Sequence, residues 1–135
     1  MSEYFIKWRL KQYLEQQGYR VEYRRIRIAN FEIDGEAFSN NGERIAIEIK
    51  SKHDDICRGI GQLCEALAHG YSKAILATSL RKAKKLDRKV FEYFRILLAG
   101  IDGSGRVQFL QQEYSPNAAR IEGVSAHASD FIFSK

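Results

Sequence analysis

FEIDGEAFSNNGERIAIEIKS, residues 31–51, is the stretch on which the fold turns. Two runs of alternating residues, FEIDGEAF and RIAIEIKS, flank SNNGE. A three-residue loop with glycine in the left-handed position closes two antiparallel strands well, so the stretch predicts a β-hairpin. In a strand, side chains alternate between faces. Ile45, Ile47 and Ile49 therefore share one side, and Ala46, Glu48 and Lys50 the other. The same rule puts Phe31, Ile33 and Ala37 on one face of the first strand and Glu32, Asp34 and Glu36 on the other.

The turn sets the register. If Asn40, Asn41 and Gly42 form the loop, Ser39 faces Glu43, Asp34 lies directly opposite Glu48, and Glu32 faces Lys50. Directly opposed residues have Cβ atoms about 4.5–5.5 Å apart, and like charges so placed repel unless a cation sits between them or one carboxylate keeps its proton. A hard divalent cation, Mg²⁺ or Mn²⁺, is the simplest resolution. Asp34 and Glu48 would then hold a metal that also binds a scissile phosphate, with Lys50 orienting or deprotonating the attacking water and offsetting developing charge. The bland alternative is an amphipathic hairpin with a solvated charged face, in which Lys50 is a cross-strand partner of Glu32.

Upstream, residues 3–17 read as a helix: Ile6, Leu10, Tyr13 and Leu14 recur at helical spacing, and Gly18 stands where a C-terminal cap belongs. YRVEYRRIRI, residues 19–28, reads as a strand with one basic face. Downstream, DDICRGIGQLCEALAHGY switches to helical period, with Ile56, Ile60, Leu63, Leu67 and Tyr71 inward and Asp54 or Asp55 as N-cap. Gly59 and Gly61 cost that helix about 1 kcal/mol each unless close packing explains them. Arg58, Gln62 and His69 form one stripe beside its apolar face, while His53 reads best as a solvated loop residue. SKAILATS predicts a buried strand, LRKAKKLDRKVFEYF a second amphipathic helix, and RILLAGID and GRVQFLQQ a final strand pair. The segment from Tyr114 to Lys135 is open, with DFIFSK either an edge strand or part of a dimer contact.

With 135 residues, 44% hydrophobic and 29% charged, the chain reads as one globular domain, core about 3–110 and C-terminal extension 111–135. Its apolar runs fall far short of the ~20 residues a transmembrane helix needs, and the start MSEYFIKWR lacks the apolar region of a signal peptide, so a cytoplasmic location without membrane is expected. Cys57 and Cys64 lie ~10 Å apart along a helix, too far for a mutual disulfide, and read as small core hydrophobes. Net charge of +5 favours an anionic partner, with nucleic acid the natural candidate.

An Asp in the second strand, ExK in the third (Glu48-Ile49-Lys50) and a following helix carrying Gln62 resemble the PD-(D/E)xK nuclease superfamily, and GIGQLCEALAHGY is similar to the Gln-containing helix of its RecB-like and archaeal members. Ile33 stands where the motif has Pro. The resemblance covers roughly residues 3–80 and implies a restriction-endonuclease-like αβββαβ core, a central mixed sheet flanked by helices. It implies Asp34 and Glu48 as metal ligands, Lys50 as catalytic lysine, Gln62 near the metal-bound water or the DNA, and Glu3 as a further metal residue, the extra acidic group that archaeal Holliday-junction resolvases place on the first helix. The function it implies is a Mg²⁺- or Mn²⁺-dependent DNA endonuclease leaving 3′-hydroxyl and 5′-phosphate ends. Arg24, Arg25, Arg27, Lys52, Arg58, Arg81, Lys82 and Lys85 are the candidate DNA contacts. Duplex cleavage by so small a unit calls for two copies, hence a two-fold homodimer, with junction resolution the favoured subclass. The rivals are a non-catalytic nucleic-acid-binding module on the same fold and an accessory protein whose charged hairpin binds a protein partner.

Overall fold

The computed structural model describes residues 1–51 and 55–110. Lys52, His53, Asp54 and the 111–135 extension lie outside them. The elements run α1 (Glu3–Gln16), β1 (Arg20–Ile28), β2 (Phe31–Phe38), β3 (Arg44–Ile49), α2 (Ile56–Ala68), β4 (Lys73–Ser79), α3 (Leu80–Ala83), α4 (Arg88–Phe94), β5 (Ile96–Ile101) and β6 (Val107–Phe109). The first six give the αβββαβ order expected of the restriction-endonuclease-like core. All six strands join one sheet in sequence order, with β1–β2–β3 antiparallel, β3–β4–β5 parallel and β6 antiparallel to β5. The fold is mixed α/β, with helices on both faces of a central sheet.

α1 starts at Ser2, whose hydroxyl accepts from the Phe5 N–H at 3.1 Å. It ends where Gly18 N–H bonds Glu15 O and Tyr19 N–H bonds Leu14 O, both at 3.0 Å, which satisfies two carbonyls the last turn would leave open. Its buried stripe Ile6, Leu10 and Leu14 packs on Ile45, Ile47, Ile49, Ile75 and Ala77. On the other face Leu63, Ala66, Leu80, Ala83 and Phe91, from α2, α3 and α4, pack with Ala46, Leu76 and Leu98. Ile47 is fully enclosed under α1. Ile47→Ala is expected to lower the free energy of unfolding by about 2–5 kcal/mol in a urea melt, because that layer has no room to collapse into the void.

The hairpin has the predicted register: Gly35, Glu36, Ala37 and Phe38 pair with Ile47, Ala46, Ile45 and Arg44. Gly42 takes φ +88° in the turn, where a Cβ would be strained. The β1–β2 ladder is less regular. Between the pairs Tyr23↔Gly35 and Ile26↔Ile33, two residues of β1, Arg24 and Arg25, oppose one of β2, Asp34. Such a bulge adds twist and re-aims side chains. As a result the apolar residues change sides: Val21, Tyr23 and Ala37 belong to the α1-side core, whereas Ile26, Ile28 and Ile33 belong to the other. That corrects two expectations, the single basic face of β1 and the grouping of Ile33 with Ala37.

Three further differences have local causes. The long helix expected over 80–94 is two short ones, because Asp87 caps α4 by accepting the Lys89 N–H at 3.0 Å and so breaks the run. α2 begins at its Asp55 cap but turns Gly59, Gln62, Leu63 and Ala66 inward, leaving Ile56, Ile60 and Leu67 only part-buried. Its cysteines are not core residues either: Cys57 is exposed and Cys64 half-buried.

Candidate functional site

The site forms where β2 and β3 part. Beyond Gly35↔Ile47 the ladder continues through side chains: Asp34 N–H donates to Glu48 Oε1 at 3.0 Å, and Ile49 N–H donates to Asp34 Oδ2 at 2.8 Å. Each carboxylate is thus held by a backbone donor of the other strand. The bulge opposite Asp34 supplies the twist that lets the strands separate there.

Glu48 and Lys50 point to the α2 face, as alternation predicted. Glu48 is 2% exposed, and Lys50 Nζ stands 3.5 Å from its Oε2. The Lys50–Glu32 pair of the bland alternative does not form: Glu32 instead pairs with Arg27 at 3.8 Å, its partner in the β1–β2 ladder. Burial, reinforced by the negative charge of Asp34, pushes the Glu48 carboxyl up to about 8; Lys50 and the Asp34 N–H pull it the other way. Near neutral pH and without a cation, Glu48 therefore largely keeps its proton. That is one of the two ways out of carboxylate repulsion that the hairpin arithmetic required.

α2 supplies the roof. A Cβ at Gly59 would stand 2.7 Å from Lys50 Cε and 3.2 Å from Leu76 Cδ1, so this glycine is what allows the lysine stem to lie against the helix. Gly61 meets nothing within 4 Å, and no packing reason accounts for it. Gly59→Ala is expected to leave the melting temperature unchanged or slightly higher, since alanine gains about 1 kcal/mol in a helix and the flexible lysine end gives way. The displaced ammonium should nevertheless lower any cleavage rate roughly 10- to 100-fold, because misplacement near 1 Å costs that much. Thermal melts and single-turnover rates on one preparation check both halves.

Gln62 is 8% exposed; its Nε2 donates to Glu32 O at 2.8 Å, while its Oε1 has no partner among the described residues. A buried acceptor without a donor costs free energy and marks a place for a water or a cation. It lines a pocket of about 300 Å³ together with Glu3, Asp34, Glu48, Lys50, Asp55 and Arg58. The two carboxylates form an oxygen donor set that suits Mg²⁺ or Mn²⁺, which keep several waters and need only one or two protein carboxylates. Among the described residues no group of three or more His, Cys, Asp or Glu could hold an ion, so Glu3 does not complete a three-carboxylate cluster. It stands at the pocket's edge, paired with Lys7 at 3.0 Å.

The other candidates separate. Arg58 shares the pocket, whereas His69 caps the far end of α2, its Nδ1 2.9 Å from Glu65 O. Arg24 is engaged by Glu36 at 3.2 Å and Glu22 at 3.4 Å, and Arg25 is exposed beside it. Arg81, Lys82 and Lys85 line a neighbouring cavity. Sequence reading missed Asp55 as a pocket residue, since an N-cap role explained it fully; Gly59 was visible only as a cost to the helix.

No protein-family model matches the sequence, and no curated protein matches it significantly. Solved structures do. An XisH family protein from Nostoc punctiforme is 18% identical over 78% of this chain and 98% of that one, with a TM-score of 0.52. A protein of unknown function from Silicibacter pomeroyi is 14% identical over 90% and 94%, with a TM-score of 0.58. A further protein of unknown function is 19% identical over 99% and 100%, with a TM-score of 0.57. The chain shares their fold. No helix among the described residues is long and apolar enough to cross a membrane.

Proposed function

We propose that the protein is a Mg²⁺- or Mn²⁺-dependent nuclease that hydrolyses phosphodiester bonds of DNA, working as a homodimer and suited to branched substrates such as four-way junctions. The observation that carries this reading is the mutual capture of Asp34 and Glu48 by each other's strand, with Lys50 and Gln62 lining the same pocket. A purely structural charged face gains nothing from burying a carboxylate that must keep a proton to do so.

A bound ion would supply Lewis acidity to the scissile phosphate and a more acidic water. The chain's own groups do the rest. Asp34 and Glu48 would hold the ion, Glu48 giving up its proton to do so. Gln62 Oε1 accepts a hydrogen bond from the attacking water and so orients it. Lys50 neutralises charge growing on the phosphoryl oxygens, and Arg58 holds the strand from α2. Glu3 acts through water at the pocket's edge. Two such units related by a two-fold axis address both strands of a duplex or junction.

The test incubates the protein with plasmid, linear, single-stranded and four-way-junction DNA in Mg²⁺, Mn²⁺ or EDTA, beside Asp34→Ala. Cutting that needs the ion and disappears in the variant is the expected result. Binding with no cutting under any ion would replace this reading with a non-catalytic binding module, and neither binding nor cutting would remove DNA as the substrate.

A further inference from the structure

A second cavity, of about 620 Å³, is lined by chain neighbours of the carboxylate pocket: Ser51 follows Lys50 just past the end of β3, and Ile6 lies one turn beyond Glu3 on α1. Its remaining polar lining is Ser79, Arg81, Lys82 and Lys85, from the end of β4 and the segment after it, and no acidic residue lines it among the described residues. Lys82 Nζ donates to Ser51 O at 3.2 Å, which ties α3 to the strand end that carries Lys50. Among the described residues Arg81 and Lys85 have no acidic partner. Arg24 and Arg27 differ, since Glu36 and Glu32 already neutralise them. Two cations with no acidic partner among the described residues, Arg81 and Lys85, converging with Lys82 and two serines, are suited to an anion with several acceptor oxygens.

We propose that this cavity is a phosphate subsite for the nucleic-acid strand, seating a phosphodiester adjacent to the one presented to Asp34 and Glu48. The inference rests on the nuclease reading of the neighbouring pocket and adds a direction to it: the bound strand runs from the carboxylate pocket past Ser51 toward α3, not across β1. Arg81 and Lys85 contribute charge, and Lys82 keeps the wall in place. Binding here needs no metal.

The experiment measures binding by fluorescence anisotropy in EDTA, using labelled DNA that carries one neutral methylphosphonate linkage moved stepwise along the strand. Wild type is compared with Arg81→Ala/Lys85→Ala, whose melting temperature serves as the control for folding. One linkage position should weaken wild-type binding about tenfold and add nothing in the variant, whose log–log salt slope should be smaller by about 1–2. Equal penalties in both proteins, or unchanged affinity of the variant, would overturn the subsite, even where wild type cuts DNA normally. Binding with the expected pattern but no metal-dependent cutting would overturn the nuclease reading and leave the subsite standing. Arg24→Ala/Arg27→Ala should alter neither slope nor pattern; a loss as large as that of the first variant would put the strand on β1 and sink the direction proposed.

Discussion

Lys50→Met should lower the single-turnover rate of DNA cleavage by roughly 10³-fold, within the 10²–10⁴ range by which a positioned proton-transfer or charge-stabilising group contributes. Methionine keeps the stem that lies under Gly59 and Leu76, so packing changes little. What disappears is the ammonium 3.5 Å from Glu48 Oε2. Because Lys50 lowers the proton affinity of Glu48, its loss raises that affinity further, and residual activity should move to higher pH. The split matters: a purely structural lysine would cost stability and leave the pH profile alone. A variant within tenfold of wild type, with an unshifted profile, would reduce Lys50 to a counter-ion.

Glu48→Gln has the opposite signature, a gain in stability with a loss of function. The carboxyl has an ordinary value of 4.5 and is pushed up to about 8 in the fold. Between those two pH values the native state holds a proton that the unfolded chain has released, so stability falls as pH rises through the window. Below it both states are protonated and nothing is lost; above it both are ionised and the whole penalty applies, on the order of several kcal/mol. Glutamine can still accept the Asp34 N–H and carries no charge. Metal-free Glu48→Gln should therefore melt about 5–10 °C above wild type at pH 8, with the gap closing toward pH 5. Added Mg²⁺ or Mn²⁺ should stabilise wild type by about 2.7 kcal/mol at a hundred times its Kd and leave the variant unmoved. A variant that melts below wild type at pH 8 would show that the Glu48 charge is already compensated within the fold, and that no cation is called for.

The hairpin was legible because its signals are local. Gly42 in the turn sets the register, and a register of period two then dictates which residues share a face, so Glu48 and Lys50 could be aimed, and Asp34 put across from Glu48, by arithmetic. α1 and the αβββαβ order followed from periodicity and capping residues for the same reason. Gln62 and Gly59 were less legible, because helical spacing defines a stripe and not which edge of it a sheet will cover; the sheet took Gly59, Gln62, Leu63 and Ala66 instead of Ile56 and Ile60.

What the sequence by itself determined is the set of parts: two carboxylates brought opposite by one turn, a lysine two residues on, a glutamine on the next helix, and a surplus of positive charge. Tertiary structure decided how they meet. The bulge at Arg24 and Arg25 lies opposite Asp34, where the β2–β3 ladder ends, and swaps the faces of β1, which no alternation pattern shows, because a bulge depends on two strands together. The proton affinity of Glu48 depends on how completely α2 excludes water from it. The pairing of Arg24 and Arg27, against an Arg81 and a Lys85 with no acidic partner among the described residues, depends on which acids the fold places within about 4 Å, a distance at which Coulomb attraction outweighs side-chain freedom only when the neighbours are already fixed.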